Sequence, residues 1–345
     1  MRRGDAGVVA FCCDAGPAVG VGHVMRCLAL AEELASRGCA PAFVADLDGL
    51  GWARERVVRQ GFDVLAPASG VDAYVAAVLA LRPVAVVLDS YLLSPEVSRR
   101  LRASGVPVAA MVDGELRGHE ADLYVDQNLG AEDDAVELPD GVRRLAGLEY
   151  ALLRDDLLRA RPAVPREDAD VPVPRVFAFF GGTDAFGAGP AVLRALALTG
   201  RSFEATVVVG RDDLAAELTA VPLGDGQHVT PIPPTDRLAE LVATADVVVA
   251  AAGSSTWELL CLGAATAVVR VAANQRIGHD RGVATEAVAG LGALDDLRTR
   301  PDAAAMRLAR LLTDPAERTR LRRTGWHLVD GRGRRRVADA LLALS

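Results

Sequence analysis

Short apolar runs alternate with longer amphipathic ones along most of the chain. VVAFCC at 8–13 is a continuous apolar run of strand length, and 24–37 carries apolar positions at helical spacing until Gly38. APAFVAD at 40–46, VAVVLD at 84–89, VPVAAMVD at 106–113 and LYVDQN at 123–128 repeat the strand pattern, with helical stretches between most of them. Val-rich strands of this kind are what a parallel sheet covered on both faces requires. Alternation of strand and helix builds α/β layers. The pattern breaks at 159–174, RARPAVPREDADVPVP, where prolines and mixed charges crowd together. Proline removes a backbone donor and fixes φ, so this stretch reads as an interdomain linker. The pattern restarts with RVFAFF (175–180), ATVVVG (205–210), VTPI (229–232), DVVVAA (246–251) and TAVVRVA (266–272), and ends in a helical, Arg-rich tail, 302–345. The expectation is an α/β protein of two Rossmann-like, doubly wound domains, 1–158 and 175–325, with 326–345 returning as a helix to the first. A cleft between the carboxyl ends of two such sheets is where open α/β folds bind ligands.

Composition narrows the function. A chain of 345 residues fits two domains, and 51% hydrophobic with 24% charged residues can fill two cores. The formal charge is −8, from 38 basic and 46 acidic side chains. That balance argues against a nonspecific grip on nucleic acid, and 4% aromatics disfavour base-stacking platforms. The longest apolar stretch, 71–93, carries Asp72, Arg82, Pro83 and Asp89, so no membrane span is expected. The N-terminal apolar run is interrupted by charge, and a secretory leader is not expected. Five cysteines without a Cys-x-x-Cys pair fit reduced thiols in a cytoplasm.

Candidate chemistry gathers at strand ends. After Cys13 come Asp14, Gly16, Gly20 and Gly22, and then His23 at a helix start. Glycines permit a tight turn and close approach to a ligand, and a helix start favours an anion. His23 is either a general base or a local helix residue. Gly182 and Thr183, in Gly181-Gly182-Thr183-Asp184, follow the strand FAFF and suit either a phosphate or a plain helix cap. Ser254, Ser255 and Thr256 precede the helix that carries Glu258. Their N–H groups and hydroxyls could wrap a diphosphate without a metal, and Glu258 could hold a ribose diol; the alternative is a capping box. Asn274 and Gln275 suit sugar hydroxyls or a polar turn. Asp89-Ser90-Tyr91, Asp113-Gly114, His119 and Asp126-Gln127-Asn128 put polar groups at successive strand ends on one edge. Asp89, Tyr91 and Asn128 are candidates for sugar contacts. Asp46-x-Asp48 and Asp168-x-Asp170 have acidic spacing but are weak metal motifs, and no metal or other cofactor is expected.

Taken together, DAGPAVGVGHVMRCLALAEEL (14–34), Asp89-Ser90-Tyr91, DLYVDQN (122–128), EYALLR (149–154), GGTD (181–184), AGSSTWELLCLG (252–263), AANQ (272–275) and DGRGRRRV (330–337) resemble the UDP-sugar hydrolases of pseudaminic acid biosynthesis and their spore-coat polysaccharide relatives. The resemblance implies a GT-B fold with the C-terminal domain holding UDP. It implies Gly22, Gly182, Thr183 and Ser254–Thr256 at the diphosphate, Glu258 at the ribose and backbone near Ile232 at the base. It implies His23 as the catalytic histidine, which Asp14 could orient. The implied reaction is inverting, metal-independent hydrolysis of a UDP-activated amino or deoxy sugar. Cys12, Gly16, Gly187 and Ala265 stand where the family has Arg, Ser, Asn and Pro. These departures keep two alternatives open. One is a GT-B glycosyltransferase moving the sugar of an NDP-sugar to a small-molecule or glycan acceptor. The other is a non-catalytic UDP-sugar-binding protein.

Overall fold

In a computed structural model, which describes residues 6–16, 21–182 and 184–344, the first strand, β1 (Val8–Cys13), is almost wholly buried and pairs in parallel on both sides. Its neighbours are β2 (Ala40–Val44) and β4 (Pro83–Asp89). With β3 (Asp63–Leu65), β5 (Val108–Met111), β6 (Leu123–Asp126) and β7 (Arg143–Ala146) they form one parallel sheet in the order β3-β2-β1-β4-β5-β6-β7. The helices α1 (Gly22–Ser36), α2 (Gly51–Arg59), α3 (Val71–Ala80) and α4 (Pro95–Ala103) connect these strands, as parallel pairing demands. Separate apolar clusters form on the two faces, around Phe11, Leu28 and Phe43 on one and around Val86, Leu101 and Tyr124 on the other. Burial on both faces explains the lack of polar alternation in the strand sequences. The short strands β3 and β7 were not legible as strands. Asp63 leaves too short an apolar run, and two of the four residues of β7 are arginines.

The chain divides into two units, 1–155 with 331–345, and 156–330. The last helix, α14 (Gly333–Leu342), belongs to the first unit. Val337, Ala338 and Leu341 join the cluster of Leu28 and Leu34 on α1. Arg334 bridges Glu32, Glu33 and Asp155 at the same junction.

The second unit repeats the first. Its strands are β8 (Arg175–Phe179), β9 (Phe203–Val208), β10 (Gln227–Ile232), β11 (Val247–Ala251), β12 (Thr266–Arg270) and β13 (Ala289–Ala293), in the parallel order β10-β9-β8-β11-β12-β13. Helices α6 (Ala188–Ala197), α7 (Asp212–Thr219), α8 (Leu238–Thr244), α9 (Ser255–Cys261) and α10 (Arg276–Ala284) connect them, after α5 (Asp155–Ala160) and before α11 (Leu294–Thr299), α12 (Asp302–Thr313) and α13 (Pro315–Leu328). In both units the strand order reverses beside the first strand, between β1 and β4 and between β8 and β11.

The Pro-rich stretch differs from the linker expected of it. Residues 159–174 lie inside the second unit and are strapped to it. Arg166 reaches Asp246 at 2.8 Å, Arg322 donates to Asp168 at 2.5 Å, and Arg318 donates to the carbonyl of Ala169 at 2.8 Å. Trp326 Nε1 donates to the carbonyl of Pro162 at 3.0 Å. Proline excludes this segment from helix and sheet but not from a fixed path held by arginine side chains. Asp168 is spent on those arginines, so the Asp168-x-Asp170 spacing carries no metal chemistry of its own.

Candidate functional site

His23 is the second residue of α1, directly after the loop that leaves β1. Asp89 is the last residue of β4, the strand beside β1. Both therefore stand where the strand order reverses, the usual ligand position in open α/β sheets. His23 Nδ1 lies 2.5 Å from Asp89 Oδ1. Arg26, one helical turn on and on the same face as His23, donates from Nε to Asp89 Oδ2 and from Nη2 to Oδ1, both at 2.5 Å. Asp89 has no exposed surface. Burial alone would raise its carboxyl pKa, but Arg26 and then His23 outweigh that and hold it well below the usual carboxylate range. An ionised Asp89 accepts from Nδ1–H of His23, and in the neutral imidazole so held the lone pair is on Nε2.

A second carboxylate closes the network. Asp113, just past β5, accepts from Arg26 Nη1 at 3.1 Å, from Asn128 Nδ2 at 3.0 Å and from the Tyr91 hydroxyl at 2.5 Å. Burial pushes its carboxyl up, and Arg26 with these donors more than reverses the shift. Burial and Asp113 raise the Tyr91 phenol, keeping it a neutral donor. The Tyr91 ring meets His23 edge-on, with centroids 4.9 Å apart, and the Arg117 guanidinium lies 4.0 Å from the Tyr91 centroid.

Asp14 is not the group that orients His23. Its carboxylate accepts from Ser90 Oγ at 2.6 Å, from Tyr91 N at 2.6 Å and from Leu92 N at 3.2 Å. It shapes the loop after β4, and Asp89 takes the orienting position because β4 is the next strand over. For the same reason Asp89 cannot contact a sugar, as its oxygens are occupied and buried. Tyr91 is 40% exposed and remains open to a ligand. Asn128 spends its amide N–H groups on Asp113 and Asp126. The sequence places Asp113 among the polar strand ends without a role and does not single out Arg26. The i, i+3 spacing of His23 and Arg26 was the available signal.

In the second unit, the loops after β8, β11 and β12 hold the remaining candidates. Gly181 takes a left-handed φ of +80°, and Gly182 is half-buried. Thr183 lies outside the described residues, as do 17–20 of the first glycine loop. Asp184 is buried and its carboxylate accepts from the N–H groups of Ala188 and Gly189, each at 2.8 Å. It serves the start of α6, a capping role. Ser254 and Ser255 are half-buried at the start of α9, and Ser254 makes no side-chain cap bond. Thr256 is buried and its hydroxyl has no partner among the described residues. The missing side-chain bond at Ser254 shows that the capping box is not formed there. Glu258 is half-buried one turn into α9. Gln275 accepts from Val271 N at 2.9 Å, and its Nε2 lies 3.6 Å from where a Cβ on Gly253 would sit. The loops after β11 and β12 are thus brought together, with Asn274 exposed beside them. Ile232 ends the edge strand β10, and its carbonyl accepts from Val209 N at 2.8 Å. Among the described residues no three acidic, His or Cys side chains are grouped to hold a metal ion, and no helix is long and apolar enough to cross a membrane.

No family model and no curated protein matches the chain, so the likeness to the UDP-sugar hydrolases rests on its motifs alone. Solved structures do match over its whole length. MurG of Acinetobacter baumannii superposes with a TM-score of 0.69 at 16% identity, covering 97% of this chain and 99% of that one. The glycotransferase of kitacinnamycin gives 0.68 at 17%, covering all of both chains. The spinosyn rhamnosyltransferase SpnG complexed with thymidine diphosphate gives 0.65 at 17%, covering 96% and 95%. With its two parallel-sheet α/β units, the chain has the GT-B fold.

Proposed function

We propose that the protein is a glycosyltransferase that moves the sugar of a nucleoside-diphosphate sugar to an acceptor hydroxyl. The first unit would supply the proton acceptor and the second would hold the nucleotide. The observation that carries this reading is His23, its Nδ1 held at 2.5 Å by the buried carboxylate of Asp89, which directs Nε2 to the role of proton acceptor. In the proposed step the acceptor O–H gives its proton to His23 Nε2 while its oxygen attacks the sugar C1. The C1–O bond to the diphosphate breaks on the opposite face, its electron pair leaves with the nucleoside diphosphate, and the anomeric centre inverts. Asp89 stabilises the imidazolium that forms, as a buried carboxylate does for a catalytic histidine. Developing charge on the leaving diphosphate would be met by N–H groups and hydroxyls of Gly182, Thr183 and Ser254–Thr256, a reading that the Thr256 hydroxyl, unpartnered among the described residues, leaves room for. Glu258 would hold the ribose, and Asn274, Gln275 and Tyr91 are offered to the sugar and acceptor.

The likeness to transferase structures, one of them holding thymidine diphosphate, supports transfer over hydrolysis. The test incubates the purified protein with a panel of UDP- and dTDP-sugars, with and without hydroxyl acceptors, and follows release of the nucleoside diphosphate. Acceptor-dependent release that disappears in His23→Gln supports transfer. Equal release without acceptor would restore the UDP-sugar hydrolase reading, and binding without turnover in any mixture would leave a sugar-nucleotide binding protein.

A further inference from the structure

Arg26 binds the same carboxylate as His23. Its guanidinium meets both oxygens of Asp89 at 2.5 Å, and its Nη2 lies 3.4 Å from His23 Nδ1. It is 7% exposed and turns its other edge to Asp113. We propose that Arg26 is a positioning residue that sets the proton affinity of His23, by holding back part of the Asp89 charge while Asp113 offsets its own. The inference rests on His23 being the proton acceptor proposed above.

The physical case is one of charge placement. A buried carboxylate facing only an imidazole favours imidazolium strongly. A base that keeps its proton cannot accept one. Here a guanidinium stands beside the same carboxylate and opposes a positive imidazole, so Asp89 orients His23 while Arg26 holds back its pull on a proton. Asp113 then prevents Arg26 from overcompensating. Among the described residues, few groups face His23. On α1 they are Arg26 and Cys27, whose thiol points to Asp89 at 3.7 Å. From β4 and its loop come Asp89 and the neutral Tyr91 phenol. From beyond β5 come Asp113, acting through Arg26, and Arg117, on the Tyr91 ring. At the end of β1, Asp14 is turned to Ser90 and the backbone N–H groups of Tyr91 and Leu92. Arginine is needed because only its planar fork spans two carboxylates at once, whereas a lysine offers a single point of charge.

The two partners of the clamp shift the balance in opposite directions, and this provides the test. The chain carries five histidines, and comparison with His23→Gln assigns the His23 imidazole signal in an NMR titration. Arg26→Met removes the opposing charge, so the His23 midpoint should move up by about one pH unit or more. Asp113→Asn leaves Arg26 uncompensated, so the midpoint should move down by a similar amount. Arg26→Lys should fall between the parent and Arg26→Met. If Arg26→Met does not fold, Asp113→Asn and Arg26→Lys carry the test. The acid limb of the pH–rate profile should follow the same order, with affinity for the nucleoside diphosphate unchanged. Midpoints that stay at the parent value in Asp113→Asn and Arg26→Lys, or that move against these signs, would overturn the proposal and leave Arg26 a structural strut. Because the titration needs no substrate, it is read even if the protein proves not to transfer sugars.

Discussion

Replacing Asp89 by asparagine keeps the shape of the side chain and removes its charge. In the parent, its carboxylate accepts two bonds from Arg26 and one from His23, all at 2.5 Å and all out of water. In Asp89→Asn one terminal group becomes an N–H donor and must face either Arg26 or His23, both of which are donors. Breaking one partner of a buried ion pair costs about 3–5 kcal/mol. Arg26 retains Asp113, so a loss near 3 kcal/mol, about the lower limit of that range, is expected at pH 7. The pH dependence has a definite sign. The Asp89 carboxyl pKa lies well below its unfolded value of about 3.9, because Arg26 and His23 outweigh the effect of burial. Its stabilising contribution is therefore complete above that unfolded value and is lost as pH falls through the folded one. The gap between parent and variant in urea unfolding should narrow by about 1 kcal/mol between pH 7 and pH 3. Turnover per folded molecule should fall by roughly 10²–10⁴-fold, since the imidazole is no longer held with its lone pair on Nε2. A variant within about 1 kcal/mol of the parent at pH 7, with normal turnover, would refute the assignment of Asp89 as the carboxylate that orients His23.

Other expectations follow from single contacts. His23→Gln should retain nucleotide affinity by calorimetry and lose turnover by about 10²–10⁴-fold. Glu258→Ala should weaken binding of the nucleoside diphosphate by about 2–3 kcal/mol, read by the same calorimetry, with unfolding little changed. Turnover should survive excess chelator, because N–H groups and hydroxyls at the start of α9 are proposed to meet the diphosphate; loss restored by magnesium or manganese would count against that. In Gly333→Ala the new Cβ would meet backbone atoms of Ala151 at 2.3 and 2.5 Å, so α14 must shift from its seat. The expected cost is about 3 kcal/mol or more, seen as a lowered unfolding midpoint.

The sequence showed the fold well because both sheets are buried on both faces. Runs such as VVAFCC and DVVVAA have no other stable use, and each is a strand within a residue or two of its apolar limits. It showed the site less well, because a strand end fixes where a residue stands and not which neighbour it faces. Asp14 and Asp89 end adjacent strands, and nothing in the spacing from His23 distinguishes them. The structure does so through chain direction: Asp14 turns onto the loop after β4, and only Asp89 is left beneath the helix. Arg26 was hidden for a related reason. Read along the chain, it is one more charged residue in a helix. In three dimensions it lies under that helix, between two carboxylates that are 24 residues apart in sequence, one ending β4 and the other just past the neighbouring β5. A buried arginine between two carboxylates is costly unless both are present, so the three residues form one unit with the base they support. That interdependence is the physical reason to expect His23, Arg26, Asp89 and Asp113 to respond to substitution together rather than additively.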